Sequence, residues 1–142
     1  MIRERSRMMK EKGVSKGRET FFGGTFVGLA WLLTVCIAVQ TLLAGLALFR
    51  DGSMWRSHVM FVHIFEIVPL LMLIAGFAGS MAARYKWSSL ALLLLVFAQY
   101  FTANVPAAGA LHPVMAIFMF WLSIETARAA RRSLRRGKET GT

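Results

Sequence analysis

Three long apolar blocks divide the chain. Residues 21–49 carry no charge, residues 57–83 carry only Glu66, and residues 87–124 again carry none. A hydrocarbon core about 30 Å thick takes roughly 20 helical residues to cross. The first two blocks therefore make one span each. The third is too long for one crossing and contains Asn104-Val105-Pro106 and Ala108-Gly109, which are turn signals, so it divides there. The pattern predicts spans at about 24–49, 54–83, 87–103 and 112–130, within a membrane domain of residues 21–131. Tails of residues 1–20 and 132–142 flank it, the first of them either partly helical along the membrane surface or disordered. The connections are short, so the expected fold is all-α: an integral membrane four-helix bundle running up-down-up-down.

Local signals refine these spans. Pro69 lacks the amide that would bind the carbonyl of Phe65, which predicts a kink just beyond Glu66. Gly24 and Gly28, and further along Ala75, Gly76, Gly79 and Ser80, are small enough for close helix contact. Pro113 suits the first turn of the last span.

Composition agrees with this class. Of 142 residues 56% are hydrophobic, too many for so small a soluble domain to hide. The net charge of +10 raises the question of nucleic acid, but its distribution answers it. Seven of the 17 Lys and Arg precede Phe21, Arg84 and Lys86 fill the middle turn, and six follow the last span. Only Arg50 and Arg56 remain for the opposite side, a split of 15 against two. By the positive-inside rule the rich side is cytoplasmic. Both termini are thus expected in the cytoplasm, with the chain multi-pass in the cell membrane and its basic tails near anionic lipid headgroups. No aromatic residue interleaves with the basic tails, so nucleic acid is not an expected partner. The first apolar block far exceeds a signal-peptide core of roughly 7–15 residues. The single cysteine, Cys36, permits no intrachain disulfide and reads as a small packing residue.

The candidate chemistry lies in the outer half. Gln40, Thr41, His58, His63, Glu66, Gln99, Tyr100, Asn104 and His112 all fall there, whereas the inner half offers little beyond Thr25, Ser80, Ser88 and Ser123. Ionisable groups at membrane depth are costly and mark functional sites by default. His63 and Glu66 are three apart on one helix face, so Glu66 is placed to orient the His63 ring. His58 lies about 140° around that helix from His63. In a square bundle the second and fourth spans are diagonal, so a histidine from each reaches toward one central cofactor. Either His58 or His63 can meet His112 in this way. Two imidazoles suit a non-covalent b-type haem, and the absence of Cys-x-x-Cys-His excludes covalent attachment.

At Trp55-Arg56-Ser57-His58, at His63, and at Leu111-His112-Pro113 the chain resembles a family of small uncharacterised bacterial four-helix membrane proteins. They pair a histidine early in helix two with a Leu-His-Pro motif opening helix four, and Val62 stands where they carry a small residue. More distantly the pattern is similar to haem A synthase and cytochrome b561-like bundles. That resemblance implies haem b as the group to test, with His58 or His63 and His112 as ligands. The leading expectation is therefore a small membrane haem protein in electron transfer, redox sensing or an oxidase-accessory role. It would work beside other membrane redox subunits or as a homo-oligomer. Two alternatives stand beside it: a metal or quinone site built from His58, His63, His112 and Glu66, and a non-catalytic accessory subunit. No nucleophile-base set or phosphate loop is visible, so no independent enzymatic activity is expected.

Overall fold

The computed structural model describes residues 2–139, with side chains described for 13–137 and 139; Met1 and residues 140–142, the end of the expected second tail, lie outside it. Five α-helices build it: α1 (Ile2–Phe49), α2 (Met54–Phe65), α3 (Val68–Ala78), α4 (Ala83–Asn104) and α5 (Leu111–Glu139). A 3-10 turn, Pro106–Ala108, joins α4 to α5. Four stretches are long and apolar enough to cross a membrane: Gly13–Phe49, Met54–Ala78, Ala83–Asn104 and Leu111–Gly137. The chain is thus an all-α membrane bundle of four spans.

Helices α2 and α3 together form the second span. The break falls at Glu66 and Ile67, and Pro69 opens the first turn of α3, where its missing amide costs nothing. At the basic tails α1 and α5 do not stop where apolarity stops. The 48 residues of α1 rise about 72 Å, more than twice the hydrocarbon thickness. Arg, Lys, Glu and Met dominate residues 2–12 and are good helix formers, so charge ends the span without ending the helix. Between α1 and α2, the Ser53 amide donates to Asp51 Oδ1 at 2.9 Å. That bond holds the Asp51 carboxyl below its ordinary pKa.

Around the bundle, α1 packs on α2, α3 and α5, and α4 packs on α3 and α5. The second and fourth spans are therefore diagonal. Phe26, Ala30, Leu33 and Ile37 recur at three- and four-residue intervals and turn one buried stripe of α1 inward. They meet Phe65, Val68 and Met72 of the second span, Leu92 and Val96 of α4, and Met119 and Ala127 of α5 in one core. Leu32, Val35, Ile64, Ile74, Phe97 and Ile117 point outward and are exposed, as a coat against lipid requires. Lipid tails are as apolar as these side chains, so close packing and interhelical hydrogen bonds hold the helices together. Thr34 Oγ1 of α1 donates to Ser123 Oγ of α5 at 3.0 Å within that core.

Close contact occurs at the basic end, at the expected Gly79 of the second span and, on α1, one residue before the expected Gly24. A Cβ on Gly24 or Gly28 would meet nothing within 4 Å. On Gly23 it would lie 2.6 Å from Leu134 Cδ2, and on Gly79 2.9 Å from Phe22 Cβ. Beyond Gly79, Ser80 turns to a left-handed φ of 50°. The Ser80 amide returns to the Phe77 carbonyl at 3.0 Å and the Met81 amide to the Gly76 carbonyl at 2.9 Å, closing a Schellman motif. This turn lies at the end of the bundle that carries the tails.

Candidate functional site

At the opposite end the second span leans on α1, because α2 packs chiefly there. A cleft of about 480 Å³ is left among α1, α2, α4 and α5. Apolar side chains make most of its wall, including Ile37, Phe65, Met119 and Phe120, and its polar members are Gln40, Thr41, His58, Gln99 and His112. That volume lies within the range of roughly 300–1,000 Å³ usual for ligand sites, and a few polar groups in an apolar wall are the usual composition.

The two imidazoles stand 6.5 Å apart between ring centroids, with planes inclined by 57°. Each is held through Nδ1. For His58 the partner is the backbone carbonyl of Gln40, at 3.1 Å. Gln40 returns the contact: its Nε2 donates to the His58 carbonyl at 2.9 Å, so α1 and α2 are clamped in both directions. Trp55 packs edge-on against the same ring at 5.5 Å. For His112 the Nδ1 lies 3.2 Å from the Gln99 carbonyl and 3.2 Å from Thr102 Oγ1. When its amide nitrogen faces α5, the Gln99 side chain also donates to His112 Nδ1 and to the His112 carbonyl, both at 3.0 Å. An Nδ1–H donated to a backbone carbonyl leaves Nε2 as the basic nitrogen, which is how ligating histidines are ordinarily prepared.

His63 and Glu66 do not join this pair. Neither lines the cleft, and the second histidine to share a space with His112 is His58. About 140° of helical rotation separates His63 from His58 and carries it toward α4. There the Tyr100 hydroxyl donates to Glu66 Oε2 and sits 3.0 Å from His63 Nδ1, with the two rings stacked at 5.9 Å. His63 Nδ1 and Glu66 Oε2 are 3.5 Å apart, so Glu66 reaches the ring mainly through Tyr100. Of the four residues singled out from the sequence, the structure thus brings together His58 with His112, and separately His63 with Glu66. Among the described residues no group of three or more His, Cys, Asp or Glu side chains converges as a metal site.

Gln40, Gln99 and Thr102 complete the site. The first two belong to the polar set of the outer half, but nothing in the sequence ties them to particular rings. Gln40 Oε1 is buried without a hydrogen-bond partner among the described residues. In Thr102 the signal is hidden, because its hydroxyl also satisfies the Ala98 carbonyl of its own helix at 3.0 Å.

Fold and site together define a class: a four-span membrane bundle with an imidazole pair between diagonal helices. Over residues 40–107 the chain is similar to a family described as "Family of unknown function (DUF6220)". The matched stretch runs from Gln40 through α2 and α3 to the 3-10 turn, and so includes His58, Gln99 and Thr102, while His112 lies just beyond it. No curated protein and no solved structure matches the chain.

Proposed function

We propose that the chain is a small membrane b-type haem protein, in which the imidazoles of His58 and His112 would hold the haem. The spacing of the imidazoles carries this reading. Two metal–nitrogen bonds of about 2 Å and a ring radius of about 1 Å on each side place bis-ligating imidazole centroids about 6 Å apart. The 6.5 Å found here is close to that spacing. The residues present also fit the group in chemistry: both Nδ1 atoms have a backbone carbonyl within reach, and the cleft wall is mostly apolar. Held by two imidazoles, the haem would supply one-electron redox chemistry, which suits electron transfer rather than oxygen chemistry. The chain's own part is to orient the rings through Gln40, Gln99 and Thr102 and to limit water with Ile37, Phe65, Met119 and Phe120. By the charge split the cleft opens toward the outer face of the cell membrane and both tails lie in the cytoplasm. Other membrane redox subunits are the partners this role implies.

The test is a visible spectrum of detergent-purified protein from haem-replete cells. A red sample with a sharp α-band on reduction is expected. His58→Ala and His112→Ala should each abolish the band, while His63→Ala should keep it. A colourless wild-type protein, or a band lost with His63 rather than His58, would overturn the assignment.

A second reading draws on the orphan Gln40 Oε1, which asks for a donor that porphyrin does not offer. A hydroquinone headgroup, with one hydroxyl on Gln40 and the other on an imidazole, satisfies it in the same cleft. Organic extraction of the purified protein separates the two readings, since quinone would appear in the extract of a colourless sample.

A further inference from the structure

The imidazole cleft is open on one side, between α1 and α5. Deeper in the bundle these two helices are in direct contact, with Thr34 Oγ1 donating to Ser123 Oγ at 3.0 Å. Beyond that bond the same helices line the cleft instead. Ala38 and Thr41 of α1 and Pro113 and Ile117 of α5 line it and are exposed, so they form its rim. Ala44 and Ala116 also line the gap, and side chains so small leave it unfilled. The other polar members of the wall, Gln40, His58, Gln99 and His112, are half-buried and lie behind that rim.

The rim lies at lipid depth. Pro113 and Ile117 fall in the first two turns of α5, within about 10 Å of the end of the last span. Leu42 of α1 and Val114 and Phe118 of α5 flank the gap as exposed, large apolar side chains. Thr41 offers no free donor there, because its hydroxyl is bonded to the Ile37 carbonyl at 3.0 Å. Toward water the cleft is covered: Trp55 packs edge-on against the His58 ring at 5.5 Å, and the α1–α2 turn lies beyond it. The opening on the outer side is therefore lateral. A polar solute confined to water would lose its hydration on that route, whereas a molecule dissolved in the leaflet would not. The polarity of the wall narrows the choice further. Gln40, whose buried Oε1 lacks a partner, and the two imidazoles match a polar part, while an apolar part fits between the helices against acyl chains.

We propose that the cleft is filled sideways from the outer leaflet, through the gap between α1 and α5, by a membrane-dissolved amphiphile whose polar part reaches Gln40, His58 and His112. This rests on the cleft being a ligand site and not on the ligand being haem. The experiment uses the full Cys36→Ala chain in phosphatidylcholine vesicles, with a nitroxide on Ala116→Cys in the cleft wall. Its relaxation by oxygen, which concentrates in hydrocarbon, is compared with relaxation by a water-confined nickel chelate. Oxygen should dominate. Thr41→Trp narrows the rim and should lose most of the oxygen effect. Leu42→Trp, beside it on the exposed face and outside the cleft, should keep that effect. Ile117→Trp against Phe118→Trp repeats the comparison from α5 should Thr41→Trp fold poorly. Nickel relaxation as strong as that of a nitroxide on Ser53→Cys in the α1–α2 turn would overturn the lateral route. Equal oxygen loss in rim and control variants would overturn it too. Failure of the haem reading is separate: a colourless wild-type chain whose nitroxide keeps the expected pattern would remove haem and still support the sideways route.

Discussion

At the residue scale, the site turns on which nitrogen of each imidazole carries the proton. His58 Nδ1 faces a carbonyl and has one role open to it, donation. His112 Nδ1 faces both the Gln99 carbonyl, an acceptor, and the Gln99 side-chain amide, a donor. The two tautomers of His112 are therefore both supported by one residue. Gln99→Leu removes the donor and keeps the carbonyl, so the ring should shift toward Nδ1–H. A hydrogen bond is worth about 1 kcal/mol net, which is about a fivefold change in tautomer ratio. Nitrogen chemical shifts of the His112 ring in ligand-free protein measure it; an unchanged ratio would mean that Gln99 does not set the tautomer. Much of this chemistry was legible from the chain. Helical periodicity alone places His58 and His63 on different faces, so only one of them can share a space with His112. Which one depends on how the second span is rotated. Packing of Phe65, Val68 and Met72 fixes that rotation, and packing is a property of the assembled bundle. The Tyr100 hydroxyl between His63 and Glu66 was hidden for the same reason, since it arrives from another helix.

At the scale of elements, the four spans and the break at Pro69 follow directly from apolar length and a missing amide. That the first tail continues the spanning helix, and does not lie as a separate helix along the membrane surface, does not follow, because apolarity reports where a membrane ends and not where a helix ends. Small residues were legible in register on the second span, where Gly79 makes the expected close contact, but not on α1, where Gly24 and Gly28 face open space and Gly23 is the residue in contact. Substitution separates these roles. Gly24→Ala and Gly28→Ala should be neutral or stabilising by up to about 1 kcal/mol, the helix-propensity gain of alanine over glycine. Gly79→Ala should destabilise, because its Cβ would lie 2.9 Å from Phe22 Cβ and 3.1 Å from the Ala75 carbonyl. Ser80 offers the opposite case. An L-residue in the left-handed region costs roughly 1–2 kcal/mol, so Ser80→Gly should raise stability by about 1 kcal/mol while keeping the Schellman bonds. Thermal unfolding of the four variants in one detergent reads all of these signs together. A stabilising Gly79→Ala would contradict the packing described for α3 against α1.

At the scale of the whole molecule, the two ends of the bundle have opposite chemistry. One collects arginines and lysines around the α3–α4 turn and the outer turns of α1 and α5; the other presents the imidazole cleft beneath a turn bearing Arg50 and Asp51. Orientation in the membrane decides which compartment each end meets, and the split of 15 cations against two gives a strong expectation. The single cysteine makes this testable. Cys36 is partly buried within α1, so Cys36→Ala provides a cysteine-free background at small packing cost. Ser53→Cys then places a thiol in the exposed α1–α2 turn, and Gly137→Cys places one at the exposed end of α5. A membrane-impermeant maleimide applied to intact cells should label the first at once and the second only after permeabilisation. The reverse pattern would turn the imidazole cleft toward the cytoplasm and the arginine- and lysine-rich end toward the outer leaflet. Each end would then face a different compartment, although no distance within the bundle would have changed.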